Sequence, residues 1–117
     1  MLQLHKEYHP NGKVKLEGGY TGGLKQGVFR VYDLSGDSVI NSITYKNDTI
    51  IAEGIVLKNG DSEGEWKYYY PNGTLKKTGS FQNGKKNGKW VFYYENGKKE
   101  QEGNYKDDLP SGVWIWY

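Results

Sequence analysis

The chain has 117 residues, a formal net charge of +2, 35% hydrophobic residues and 15% aromatic residues. Aliphatic side chains are too few for a thick aliphatic core, so the composition predicts one domain that is stabilised by aromatic contacts on a sheet. The absence of cysteine excludes disulfides and thiolate metal sites. No stretch approaches the ~18 apolar residues of a membrane span.

The basic residues are lysines with one exception, Arg30. Nucleic-acid readers rely on arginine, whose planar guanidinium binds bidentately, so the composition does not favour a nucleic acid as partner. Residues 64–117 carry nine lysines against six acids. Six of these lysines form three dispersed pairs in turns, and such a pattern indicates solvated charge more than a lipid surface. The pairs are Lys76-Lys77, Lys85-Lys86 and Lys98-Lys99.

The first six residues contain no apolar run as long as that of a signal peptide. This favours a cytoplasmic chain. An exported or envelope-anchored chain whose signal had been removed would look the same.

Taken in order, the chain repeats itself. The stretch Tyr8-His9-Pro10-Asn11-Gly12 returns as Tyr69-Tyr70-Pro71-Asn72-Gly73. The Gly-x-Trp pattern begins at Gly64, Gly88 and Gly112, a period of 24 residues. A fixed period of this size predicts an array of one supersecondary unit. We predict a single repeat domain over residues 1–117, with units at 1–26, 27–63, 64–87 and 88–111 and a partial unit at 112–117.

Each unit is predicted to be a β-hairpin. Along residues 66–70, alternation puts Trp66, Tyr68 and Tyr70 on one face and Lys67 and Tyr69 on the other. Asn-Gly pairs such as that at 72–73 stand where a tight turn needs positive φ. In the second strand, Leu75, Gly79 and Phe81 have the same parity, as do Val14 and Tyr20 in the first unit. The predicted fold class is all-β: an elongated antiparallel meander of tandem hairpins in one sheet or rod.

The unit at 27–63 departs from the period, because Gly27 and Gly64 are 37 residues apart. Two strands are predicted there, at Ser38–Tyr45 and Thr49–Leu57, with a turn at Lys46–Asp48. An odd extra strand reverses the direction of the strands after it. We therefore expect a bend or a change of face near residues 47–60.

Strand alternation predicts which aromatic residues share a face. One face is predicted to carry two rows: Phe29, Trp66, Trp90 and Trp114, then Val31, Tyr68, Phe92 and Trp116. The opposite face is predicted to keep one ring per unit, namely Tyr32, Tyr69, Tyr93 and Tyr117. These four tyrosines and Lys67 are candidate partner-binding residues, because exposed tyrosine gives a large contact area at little entropic cost. The competing interpretation is a cross-strand ladder that stiffens the sheet.

The last predicted strand contains Trp114, Ile115 and Trp116 and has no following hairpin partner in this sequence. An apolar edge strand invites pairing with another chain. Either the array continues in a longer native protein, or these three residues are candidate contacts for a homodimer through the C-terminal edge.

The pattern Gly-x-Trp-x-Phe/Tyr-Tyr-x-x-Asn-Gly, followed by Gly-x-Tyr/Phe-x-x-Gly, resembles MORN repeats, in the variant found in bacterial proteins of the YwqK antitoxin type. The resemblance covers residues 64–117 and 8–36 and fails across 37–63. It implies a rod of stacked hairpins, a role in attachment to other proteins and, for some members, lipid binding or neutralisation of a toxin. It carries over no functional site.

Motifs for other chemistries are incomplete. Residues 79–86 approximate a phosphate-binding loop, but the loop lacks Ser or Thr after the lysine and leads into a strand. His5 and His9 precede a turn and not a helix, and paired acids such as Asp107 and Asp108 are turn residues. No cofactor or metal is predicted and no enzyme is expected. The predicted function is a non-catalytic scaffold that binds a protein partner; the alternatives are an antitoxin or immunity partner and a membrane-surface or cell-envelope attachment module.

Overall fold

A computed structural model describes all residues from Met1 to Tyr117. It contains ten β-strands and no helix. The strands are β1 (Leu2–Tyr8), β2 (Val14–Thr21), β3 (Leu24–Tyr32), β4 (Val39–Lys46), β5 (Thr49–Val56), β6 (Ser62–Tyr69), β7 (Leu75–Gln82), β8 (Lys85–Tyr93), β9 (Lys99–Lys106) and β10 (Leu109–Trp116).

The strands form one open sheet in sequence order, and the registers of neighbouring strands are antiparallel throughout. The molecule measures 49 × 29 × 22 Å. The predicted all-β antiparallel meander is therefore confirmed. Both strands predicted within residues 38–57 are present as β4 and β5, with ends that differ by one residue.

Two kinds of turn join the strands, and the sequence accounts for both. The longer turn encloses Asn72-Gly73: Gly73 has φ +89°, and the Asn72 side chain accepts a hydrogen bond from the Thr74 backbone N–H at 3.0 Å. The tight turns have two residues of positive φ, such as Asn47 and Asp48. Asparagine, aspartate and glycine tolerate this conformation, so these sequences favour hairpins.

In every repeat after the first, the strand that carries the recurring Phe or Trp packs that ring over a glycine of the preceding strand. We call the strand with the ring the repeat strand. A Cβ on Gly79 would lie 2.0 Å from the Trp90 indole, so only glycine fits there. The other pairs of this kind are Gly18 with Phe29, Gly54 with Trp66 and Gly103 with Trp114. The Trp90 side chain is fully buried, and its indole N–H donates to the Ser80 carbonyl at 3.1 Å. This contact attaches each repeat strand to the strand before it.

The inserted strand exchanges the two faces of the sheet. Directly opposite residues point to the same face, and Phe29 pairs with Ile43, Ile43 with Glu53 and Glu53 with Lys67. Since Lys67 alternates with Trp66, Phe29 lies on the face opposite to Trp66. We call the side of Trp66, Trp90 and Trp114 the indole face, and the side of Tyr69, Tyr93 and Tyr117 the tyrosine face.

The expected change of face is thus present. The predicted row that joined Phe29 to the tryptophans is wrong, and so is the row that joined Val31 to Tyr68, Phe92 and Trp116, because Val31 shares the face of Phe29. Gly64 lies three strands further along the sheet than Gly27, whereas equivalent residues of the regular repeats lie two strands apart. Equivalent side chains of these two repeats therefore point to opposite faces. Two separate aromatic networks result. Tyr20, Phe29 and Tyr45 form edge-to-face pairs on the tyrosine face, and the tryptophans pack with Phe81 and Tyr105 on the indole face.

Small irregularities also correct the predicted parities. Lys76 is an extra residue between the pairs Tyr68–Lys77 and Tyr69–Leu75, so Leu75 faces away from Phe81. The same irregularity follows Val14, which therefore does not share a face with Tyr20. One bulged residue reverses the face to which the residues beyond it in the same strand point.

The sheet bends toward the indole face at the insertion. Arg30 reaches from β3 across β4 to β5, where its guanidinium donates to the carbonyls of Val56 at 2.9 Å and Leu57 at 3.2 Å. The buried Ser42 hydroxyl accepts the Val56 backbone N–H at 3.0 Å. Ala52, Val56 and Trp66 form the buried core cluster here, with Val28 packed against it.

Candidate binding surface

Three of the four candidate tyrosines share the tyrosine face, and neighbouring glutamates hold two of them in place. The Tyr69 hydroxyl donates to Glu53 at 3.4 Å, and the Tyr117 hydroxyl donates to Glu102. In the repeat of Tyr93, the position equivalent to these glutamates is occupied by Thr78. This arrangement has the features of a cross-strand ladder, while the rings of Tyr69 and Tyr93 remain half-buried and Tyr117 remains exposed.

Tyr32 does not belong to this row. It lies on the other side of the sheet with only 3% of its surface exposed, and its hydroxyl donates to Glu17. The Lys58 ammonium lies 5.3 Å from the centre of its ring. Burial, followed by the hydrogen bond to Glu17, raises the pKa of Tyr32 to about 12. The exchange of faces at β4 is the physical reason for its separation from the other three tyrosines.

Charged groups on the tyrosine face are paired with one another. The Glu102 carboxylate lies 2.8 Å from the Lys89 ammonium and 3.4 Å from that of Lys99. Hydrogen bonds from Lys89 and Tyr117 lower the pKa of Glu102 to about 2. Lys67 is exposed and lies opposite Glu53 and Thr78. This face is therefore electrostatically mixed, with its buried acid already neutralised.

The indole face has a different electrostatic character over β6–β10. Its paired positions contain two cations, Lys77 and Lys86, and no carboxylate. The Asp108 carboxylate accepts a hydrogen bond from the Lys86 backbone N–H at 2.7 Å. The Lys77 ammonium lies 4.5 Å from the centre of the Tyr68 ring, and that of Lys86 lies 4.9 Å from the Tyr105 ring. Neither ammonium has a carboxylate within salt-bridge distance.

Burial lowers the pKa of Lys77, and the positive charges of Lys86 and Lys76 lower it further. Like charges therefore act on one another over an aromatic floor. Sequence reasoning missed this surface because Lys76-Lys77 and Lys85-Lys86 look like solvated turn pairs. The available signal was parity, since Lys86 and Trp90 are four residues apart in one strand.

The C-terminal edge strand β10 has a neighbour on one side only. Its residues include no charged side chain, and Trp116 is 70% exposed. Ile115 and Val113 are exposed as well. The Trp114 indole N–H is buried without a hydrogen-bond partner, in contrast to that of Trp90. The three predicted edge residues therefore do lie on an unpaired and uncharged strand.

The two histidines do not come together. His5 lies in β1 and contacts Glu7 at 3.0 Å, whereas His9 follows the strand and contacts the Tyr32 carbonyl at 3.2 Å. The structure groups no three His, Cys, Asp or Glu side chains in a way that could hold a metal ion. It also contains no helix that is long and apolar enough to cross a membrane.

Comparison with known proteins places this geometry in a family. No curated protein matches the chain. The model of the MORN repeat variant matches residues 4–21, 62–83 and 86–107, which together are slightly more than half of the chain. These matches cover the hairpins β1–β2, β6–β7 and β8–β9, and the unmatched middle contains the inserted strand. The protein belongs to the MORN repeat variant family.

Proposed function

We propose that this chain is a non-catalytic interaction module that binds another protein along its sheet. MORN repeats are commonly protein- or membrane-interaction modules. The observation that carries the proposal is the single-layer sheet: only 14 of 117 residues are buried, and both faces are open to a partner.

Half-buried aromatic rings on a rigid scaffold suit this role. Tyrosine and tryptophan are enriched at protein interfaces because one end of the ring is apolar and the other is polar. Tyr69 and Tyr93 present such rings on the tyrosine face, and Lys67 stands beside them in the sheet. These residues, with Tyr117, remain predicted contacts.

Affinity capture with mass spectrometry tests the proposal. The wild-type chain serves as one bait, and a Tyr69→Ala/Tyr93→Ala double variant and a Lys77→Gln/Lys86→Gln double variant serve as the others. A stoichiometric partner that is lost from one variant assigns the interface to that face. If the wild-type chain retains no stoichiometric partner, the proposed function fails.

A toxin-neutralising role is a finer form of this proposal, and the motif resemblance supports it. Its test is co-expression with the products of neighbouring genes. Rescue of growth that depends on this chain would support the role, and toxicity that is unchanged would contradict it.

We also propose that β10 pairs with β10 of a second copy. The Tyr117 N–H donates to the Glu100 carbonyl at 3.0 Å, so alternation directs the free backbone groups of Trp114 and Trp116 to the open edge. A two-fold axis at Ile115 would place Trp114 opposite Trp116 of the second copy, with both rings on the indole face. No charge on this strand opposes the pairing.

Light scattering over the micromolar range tests the dimer. Trp116→Lys adds a charge to the open edge and should give a monomer. Leu4→Lys, an exposed residue in the edge strand at the other end of the sheet, is the matched control and should leave the dimer intact. A monomeric wild-type chain throughout that range would contradict the proposal.

A further inference from the structure

The geometry points to a specific partner chemistry for the indole face: an extended acidic peptide segment, whose carboxylates pair with Lys77 and Lys86 above the aromatic floor. This inference rests on the proposed function and names the surface and the partner class.

The arrangement of the two lysines follows the strand direction. Lys77 lies opposite Phe92, and Lys86 lies opposite Phe81, four residues along β7. Four residues of strand correspond to roughly 13 Å. The two cations therefore belong to opposite ends of one strand pair, with the Trp90 indole above Gly79 between them and Phe81 level with Lys86. A line of charge and apolar surface along a strand fits an extended chain.

The charge of the face favours an anionic partner. Lys77 and Lys86 repel each other, and neither ammonium forms a salt bridge; the Asp108 carboxylate contacts only the backbone N–H of Lys86. The opposite face is the internal comparison, because Glu102 there is contacted by both Lys89 and Lys99. A bound carboxylate would relieve the repulsion over an aromatic surface, where charge pairs are screened less than in water.

The aromatic floor favours a peptide over a membrane. Trp90 is fully buried, and Tyr68 and Phe81 are half-buried by their neighbours. The exposed parts of Tyr68 and Phe81 offer contact area, and neither ring is exposed enough to insert into acyl chains. The exposed indole of Trp116 lies at the far edge and not between the lysines.

Side chains of an extended peptide that face the sheet recur at every second residue. Acids four residues apart therefore match the spacing of the lysines, with an apolar residue midway, at the level of Gly79 and the Trp90 ring. A fluorescent dodecapeptide that repeats Glu-Ser-Leu-Ser has this pattern. The control peptide repeats Gln-Ser-Leu-Ser and differs from the first peptide in the charge of the side chains at the glutamate positions.

Fluorescence anisotropy with the full chain measures both peptides. The glutamate peptide is expected to bind at least about tenfold more tightly than the glutamine peptide. The Lys77→Gln/Lys86→Gln variant should lose that preference. Lys85→Gln/Lys106→Gln is the matched control, because both of its lysines are exposed on the tyrosine face and it removes the same charge. Circular dichroism checks that both variants fold.

Several outcomes would overturn the inference. Equal affinity for the two peptides, or an equal loss in both double variants, would exclude a role for Lys77 and Lys86. Binding to phosphatidylserine–phosphatidylcholine vesicles without binding to either peptide would assign the surface to a membrane. If no probe binds while the captured protein partner does, the inference fails and the proposed function stands.

Discussion

Substitution of Gly79 by alanine tests the contact that joins the repeats. The added Cβ would lie 2.0 Å from the Trp90 indole, where no real Cβ can remain. The ring cannot withdraw freely, because Phe81 packs edge-on at 5.2 Å and Tyr105 at 6.0 Å between ring centres. Movement of the ring would also break the indole hydrogen bond to Ser80.

We expect Gly79→Ala to lower the free energy of unfolding by about 3 kcal/mol, the upper part of the range for an overpacked core. The lost indole hydrogen bond accounts for about 1 kcal/mol of this. Gly79 does not have positive φ, so alanine adopts its backbone conformation without strain. Without the ring, the same substitution would stabilise the chain by about 0.4–1 kcal/mol through the unfolded state. The sign of the effect therefore reports on the ring.

Urea unfolding followed by tryptophan fluorescence and by circular dichroism measures the effect. Ser80→Ala, at the next residue on the opposite face, is the control and should change stability by less than about 0.5 kcal/mol. In a Trp90→Ala background, Gly79→Ala should lose most of its cost. A Gly79→Ala variant as stable as the wild-type chain would refute the packing described for the repeats.

Three further predictions concern charged and titrating groups. Arg30→Met should lower the free energy of unfolding by about 2 kcal/mol in urea, since it removes two hydrogen bonds from a charged donor to the β5 carbonyls; a loss near zero would show that the bend does not need them. Glu102 has its pKa lowered from 4.5 to about 2, so its stabilisation is present above pH 4.5 and is lost as the pH falls to about 2. In the Glu102→Gln variant, the melting temperature should depend less on pH over that interval. Parallel curves of melting temperature against pH for the variant and the wild-type chain would contradict this. Tyr32 has its pKa raised from 10.0 to about 12, so its contribution to the free energy of unfolding is present below pH 10 and is lost as the pH rises to about 12. In the Tyr32→Phe variant, the free energy of unfolding should depend less on pH over that interval. The same pH dependence in the variant and the wild-type chain would contradict this role of Tyr32.

Local chemistry explains why so much of the fold could be predicted from sequence. Asn-Gly turns, period-two alternation and the repeated glycine each act within one hairpin, and together they indicate the meander, its period and the extra strand near Asn47. These signals depend on neighbours along the chain. They need no knowledge of distant contacts.

The features that the sequence did not predict depend on the number of strands between two residues and on contacts between residues that are distant in the chain. Tyr32 has the same place in its repeat as Tyr69, yet one additional strand directs it to the other face. Arg30 looks like an isolated cation in the sequence, and its partners on β5 are brought near only by the bend across β4. Lys86 has the parity of Trp90 in the sequence, but its place beside Phe81 is known only from the register of β7 and β8.

Binding of another protein along a face of this sheet is the central claim, and site-specific crosslinking tests it most directly. The chain has no cysteine, so Gln101→Cys and Asn104→Cys can each carry one photo-crosslinker, on residues of β9 that point to the indole face and to the tyrosine face. Each labelled chain is irradiated with the protein partner that the wild-type chain captures. Binding along the sheet predicts a crosslink from at least one position: from position 101 if the partner lies on the indole face, and from position 104 if it contacts the tyrosine face. A crosslink from neither position would contradict binding along the sheet.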